Sequence, residues 1–150
     1  MKCYKTADGK FLKTTEGKFV GADGSDEFEK VEGSAKNTSI NWIYIRCAVS
    51  ANIATFVFAG EIPNGVTIRN NTVLATIIPP KAVLNHIGTD TNKTYALGAL
   101  PIIDKSTKAI DNIAAFLQGY KTEYSLMFSK DIANSSGNTK AFRAEFTFIL

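Results

Sequence analysis

The chain has 150 residues and a formal charge of +3 at pH 7, with 45% hydrophobic and 21% charged residues. These values suit one globular domain with a real core, and they exclude disorder, collagen-like repeats and a strongly basic nucleic-acid surface. No basic tract concentrates the small positive excess, so neither nucleic acid nor a membrane surface is an expected partner.

The first 33 residues differ from the rest, holding six lysines against seven acidic residues. Asp8-Gly9-Lys10-Phe11-Leu12 recurs as Glu16-Gly17-Lys18-Phe19-Val20. Each unit reads as a turn followed by two apolar residues, a short strand-turn repeat that buries too little to stand alone. Residues 1–33 are therefore expected to be an attachment segment or an N-terminal hairpin, and 34–150 the folded domain. No apolar run follows Lys2, so no secretory signal is expected. The acidic residues Asp23, Asp26, Glu27, Glu29 and Glu32 lack calcium-loop spacing and read as a solvated linker. Cys3 and Cys47 are expected as reduced thiols, since one lies near the chain end and the other inside a strand-like run.

From Asn41 the signal is β. Between Asn41 and Val49, strict alternation sets Ile43, Ile45, Cys47 and Val49 on a core face and Trp42, Tyr44, Arg46 and Ala48 on the other. Ile53–Ile62 is apolar on both faces, as a central strand should be. Pro63-Asn64-Gly65 is a turn. Thr72–Ile78 is a further strand ended by Pro79-Pro80, and strand-like runs follow at Lys81–Ile87, Thr94–Leu100, Tyr124–Phe128 and Ala141–Leu150. In the last, Phe142, Ala144, Phe146 and Phe148 alternate with Arg143, Glu145 and Thr147. Ile110, Ile113, Ala114 and Leu117 instead fall at helical spacing, so Thr107–Gly119 is either a short helix or another strand pair. The pattern predicts a mainly β domain, an antiparallel β-sandwich or jelly roll with at most one short helix near 107–119. Ile43, Ile45, Val57, Phe146 and Phe148 are expected in its core.

Motifs for chemistry are few. No nucleophile elbow, phosphate loop, dinucleotide turn or zinc-protease helix is present. With one histidine, His86, and no Cys-x-x-Cys pair, neither a metal site nor a cofactor is expected, and the chain does not read as an enzyme. The polar segment after His86 is the place for ligand contact, with His86, Asp90, Asn92 and Tyr95 as candidates. Trp42, Tyr44 and Arg46 have three readings: a sheet face under a loop, a glycan platform, or a contact surface, since such residues are enriched where chains pack. The contact reading makes them an oligomer interface. Four Asn-x-Ser/Thr sequons, at Asn37, Asn70, Asn92 and Asn134, read as by-products of an Asn- and Thr-rich surface.

The stretch Trp42–Lys81 carries a resemblance. The strand Ala54-Thr55-Phe56-Val57-Phe58-Ala59-Gly60-Glu61-Ile62, the Pro63-Asn64-Gly65 loop and Val73-Leu74-Ala75-Thr76-Ile77-Ile78-Pro79-Pro80-Lys81 look like bacteriophage receptor-binding and fibre head domains. The resemblance implies a non-enzymatic virion protein, a homo-oligomer with a trimer favoured, anchored to other virion proteins through residues 1–33 and able to bind host-surface saccharides. No shaft repeat or long coiled coil is present, which favours a head fibre or decoration protein over a free-standing tail fibre. The alternative is a small bacterial carbohydrate-binding module or adhesin domain, at the cell surface or outside the cell.

Overall fold

The computed structural model describes residues 27–150 together with Phe19–Val20. Cys3, the first repeat unit, Asp23 and Asp26 lie outside the described residues. In chain order the strands are β1 Phe19–Val20, β2 Glu27–Glu32, β3 Ser34–Ala35, β4 Asn41–Ser50, β5 Ile53–Ile62, β6 Thr67–Ile68 and β7 Ala75–Ile77. After helix α1, Lys81–Ile87, come β8 Thr94–Asp104, β9 Ile110–Tyr120, β10 Glu123–Phe128, β11 Ile132–Ala133 and β12 Lys140–Ile149. All pairings are antiparallel.

The main sheet folds into two walls, giving a sandwich that is nearly a closed barrel. One wall is β2-β4-β5-β12 and the other β8-β9-β10-β7-β3. They are joined at two corners, and each corner has a local cause. At the first, the chain runs along β4 as β2, turns at Gly33, and pairs with β7 as β3. Gly33 donates its N–H to the Ile45 carbonyl at 2.6 Å. A Cβ there would collide with Ile45, Ile77 and the Thr76 carbonyl oxygen, so only glycine lets the walls approach. The 33/34 boundary expected from composition thus falls within this crossover.

At the second corner, β12 pairs with β8 only through Ile102–Asp104. The next residue of β8 is Pro101, which has no N–H to donate, and beyond it the two strands diverge. The inner faces supply the core. Phe56 of the first wall meets Tyr124 of the second edge-on at 5.1 Å between centroids, and Phe142 meets Phe128 at 5.3 Å. Such pairs span the sandwich and fix its thickness. Ile45 and Phe146 are buried in the core as expected, Phe148 is half-buried, and Val57 is buried but on the outer side of its strand, outside the core cluster.

Ile43 is not in the core but 56% exposed. A β-bulge between Trp42 and Tyr44 shifts the register, so that Trp42 pairs with Gly60 and Tyr44 with Ala59. One extra residue reverses the alternation. Trp42 is carried to the inner side, where its ring meets Phe142 at 5.7 Å and its Nε1 donates to the Asn37 carbonyl at 3.0 Å. Tyr44 and Arg46 stay outside.

Helix and strand are exchanged at two places. Lys81–Ile87, expected as strand, is the helix, with Val83 buried and Gly88 closing it through a bond to the Leu84 carbonyl at 3.1 Å. Seven residues after a double proline are too few to separate the two periods. Thr107–Gly119 contains no helix. β9 occupies Ile110–Tyr120, with Ile113, Ala115 and Leu117 inward and Ile110, Ala114 and Phe116 outward. Its outer face is apolar too, and that face created the helical spacing.

Candidate functional site

The outer faces of the walls are unlike. On the first, Tyr44 and Arg46 stand over Ala59 and Val57 in register, with Arg143 and Glu145 on the other flank. The Arg46 guanidinium lies 4.4 Å from the Tyr44 ring centroid, and Arg143 pairs with Glu145 at 3.0 Å. Long amphipathic side chains thus cover small ones, leaving Val57 only 5% exposed. The exposed aliphatic side chains of this wall lie at its ends, Ile43 beside the bulge and the Ile53–Ile149 pair at the other end.

The second wall has no such cover. Leu97, Ala99, Pro101 and Ile103 of β8 line up beside Phe116, Ala114, Asn112 and Ile110 of β9, with Asn112 the one polar side chain of the set. Leu97 is 63% exposed and Ile110 56% exposed. No charged side chain stands among these residues. Covering Leu97 or Ile110 alone is worth about 1–2 kcal/mol, and a contiguous stripe of this kind marks a contact surface.

Beyond Phe116 the stripe runs into a groove of about 390 Å³. Its floor is Phe116, Gln118 and Tyr120 of β9 with Met127 of β10, and its rims are Asn71 and Val73 on one side and Asn92 and Thr94 on the other. Both asparagines have left-handed backbones, at φ 51° and 64°, a conformation in which asparagine is favoured among residues with a side chain. The Asn71 rim is braced by Arg69, which donates to Asp131 at 2.8 Å, while Asp131 accepts the Asn70 N–H at 2.8 Å. The Asn70 N–H and the Arg69 side chain hold the Asp131 carboxyl below the usual carboxylate range. The Asn92 rim is fastened to β9, with Asn92 N–H bonded to the Gly119 carbonyl and Gly119 N–H to the Lys93 carbonyl, both at 2.9 Å. Gly119 must be bare because a Cβ would fall on the Asp90 carbonyl. Nearby, the Ser125 and Thr76 hydroxyls are buried with no partner among the described residues.

Of the residues singled out by sequence, Asn92 lines the groove. Asp90 lies just outside it, and its N–H bonds the Tyr95 hydroxyl at 2.6 Å. The Tyr95 ring is spent on packing against Tyr124 at 5.1 Å, with Tyr124 donating to the Gly88 carbonyl. Burial, with Tyr95 alongside, raises the Tyr124 pKa above the ordinary phenol value. His86 is exposed on α1, away from the lining. Trp42 parts from Tyr44 and Arg46, as the bulge requires. The sequence reading missed Phe116, Gln118 and Tyr120, which share one face only once this segment is taken as a strand.

Two further groups are structural. Asp104 accepts the Ser106 and Thr107 N–H groups at 2.9 Å each, and these bonds, Thr107 first, hold its carboxyl well below the usual range. Cys47 is a free, fully buried thiol, pushed up to about 12 by burial and by the Glu29 charge, hence unreactive. Asn134 is buried and its amide donates to the Ile62 and Asn138 carbonyls at 2.8 and 2.9 Å, so that sequon is closed to modification. Among the described residues no group of three or more His, Cys, Asp or Glu side chains converges to hold a metal ion.

The class defined by these observations is an antiparallel β-sandwich with one apolar outer wall. No family model and no curated protein matches the chain. Among solved structures, it is similar to the reovirus attachment protein sigma1 in complex with alpha-2,3-sialyllactose, with TM-score 0.44 and 8% identity over 99% of this chain and 76% of that one. It is also similar to the distal domain of mouse adenovirus 2 fibre, with TM-score 0.41 and 11% identity over 97% of this chain and 91% of that one.

Proposed function

We propose that the chain is a non-enzymatic bacteriophage virion protein, a head-fibre or decoration domain that projects from the particle as a homo-oligomer and contacts host-surface saccharides. The observation that carries this reading is the uncharged apolar stripe of Leu97, Ala99, Pro101, Ile103 and Ile110 on the outer wall. A solvated antiparallel sheet face is ordinarily polar, so this one is built to be covered. A ring of copies covers it by symmetry, a trimer being the expected ring, with the Tyr44–Arg46 face of the next protomer as the complementary surface. The contact is head-to-tail because the two faces lie on opposite walls. Residues 1–33 dock other virion proteins; since β2 is a wall strand, docking falls to the residues before Glu27.

Sedimentation of the full chain tests the reading. The expected result is a stable trimer that Leu97→Asp with Ile110→Asp converts to folded, smaller species. A native mass retained by the double variant overturns the stripe as interface. A wild-type monomer at micromolar concentration overturns the oligomer and leaves the carbohydrate-binding module.

A further inference from the structure

We infer that the groove between the Asn71 and Asn92 rims is a binding site for an uncharged hexopyranose residue at the end of a glycan. The inference deepens the proposed attachment role and rests on it for the biological origin of the ligand. Its physical grounds are local to the groove.

The first ground is the match of surface chemistry. A pyranose ring presents C–H groups on its faces and hydroxyls around its rim, and it is recognised where an aromatic or apolar floor is bordered by groups that both donate and accept. Phe116, Tyr120 and Met127 give such a floor, with Tyr120 38% exposed. Carboxamides border it, and each carries two donors and an acceptor, which suits hydroxyls that also do both. The side-chain amides of Asn71 and Asn92 have no hydrogen-bond partner among the described residues. Gln118 Nε2 is shared at 3.4 Å between the Asn92 carbonyl and Thr94 Oγ1, and these long bonds are readily exchanged for a ligand's.

The second ground is charge. No ionisable side chain lines the groove apart from the Tyr120 phenol. No arginine lines it to grip a carboxylate through two bonds, and the Lys121 ammonium stands beside the lining rather than in it, 5.6 Å from the Tyr120 ring centroid. The third ground is rigidity. Both rims are held by backbone bonds to β9 or to the 131 loop, and the left-handed asparagines are set before any ligand arrives. Preformed walls lower the ordering cost of binding a small, weakly held ligand.

The test uses the full chain and ligand-observed NMR with a panel of methyl glycosides of glucose, galactose, mannose, N-acetylglucosamine and N-acetylgalactosamine, with methyl sialoside as the acidic probe. At least one neutral glycoside should bind in the millimolar range, seen as saturation transferred from the protein to its ring protons. Tyr120→Ala should abolish that signal. Asn92→Gly, which keeps the left-handed backbone and removes only the amide, should raise Kd about tenfold, or about 1.4 kcal/mol. Unchanged circular dichroism shows that both variants remain folded. Failure of every neutral glycoside, binding undiminished in both variants, or binding of the sialoside alone overturns the inference. Sedimentation separates this from the attachment reading. A trimer that binds no glycoside loses only the groove, whereas a monomer that binds one keeps the groove and loses the oligomer.

Discussion

Both walls turn aromatic side chains inward, yet their outer faces follow opposite rules. On the β4-β5-β12 wall the small residues Val57 and Ala59 are sealed by Tyr44, Arg46 and Arg143 of neighbouring strands. On the β8-β9 wall the large exposed side chains, Leu97, Ile103 and Ile110, are apolar, with Asn112 the polar residue among their outer-face neighbours. Both strands of each pair bury their inner side, so burial alone does not separate an outer face sealed within the chain from one left apolar. The identity of the cross-strand neighbours does.

The comparison breaks most severely if the walls are parted. Phe56 is fully buried and joins them through Tyr124. Phe56→Ala is expected to cost about 3–5 kcal/mol in urea unfolding. A loss under about 1 kcal/mol would mean that the walls do not depend on this contact. Gly33→Ala acts at the corner and should cost about 1–3 kcal/mol, because one of the three obstructing groups is backbone and cannot rotate away. Native-state hydrogen exchange should show the β3–β7 pairing released first. Protection there equal to that of the wild type would place the strain elsewhere.

A smaller effect sharpens the comparison at the end of the β8-β9 hairpin. Asp104 has a lowered carboxyl pKa in the folded chain, while the unfolded chain takes up its proton near the ordinary value of about 4. The unfolded state therefore binds more protons below that pH, so the stabilisation is complete above about pH 4 and is lost as pH falls through the folded value. Asp131 acts in the same sense. Asp104→Asn should flatten the acid limb of the stability profile, read by thermal unfolding between about pH 2 and 5; an unchanged slope would refute the assignment. The smallest effect is expected on the covered wall. Glu145→Gln removes an exposed ion pair with Arg143 and should change stability by no more than about 0–1 kcal/mol. A larger loss would place this pair inside the oligomer contact of the Tyr44–Arg46 face rather than on its flank.

Much of the architecture was legible in the residues. Alternation located β4 and β12, apolar runs located β5 and β10, and the turn at Pro63-Asn64-Gly65 is where Gly65 takes φ 82°. What failed did so for identifiable reasons. β9 is apolar on both sides, so its spacing fits two periods, and the groove floor of Phe116, Gln118 and Tyr120 was hidden by the helical one. Asn71 and Val73 meet Asn92 and Thr94 only because separate loops reach the same two strands, a proximity that sequence spacing does not encode.

The sequence by itself determined the fold class and the inward face of β12, because these depend on period and residue type, which are local. Tertiary structure alone decided which side of β4 Trp42 occupies, since a single bulged residue inverts a strand and leaves no mark in the pattern. It also decided that the second wall is uncovered. Whether an apolar side chain is sealed depends on the residue opposite it across the sheet, and register, not sequence, chooses that neighbour.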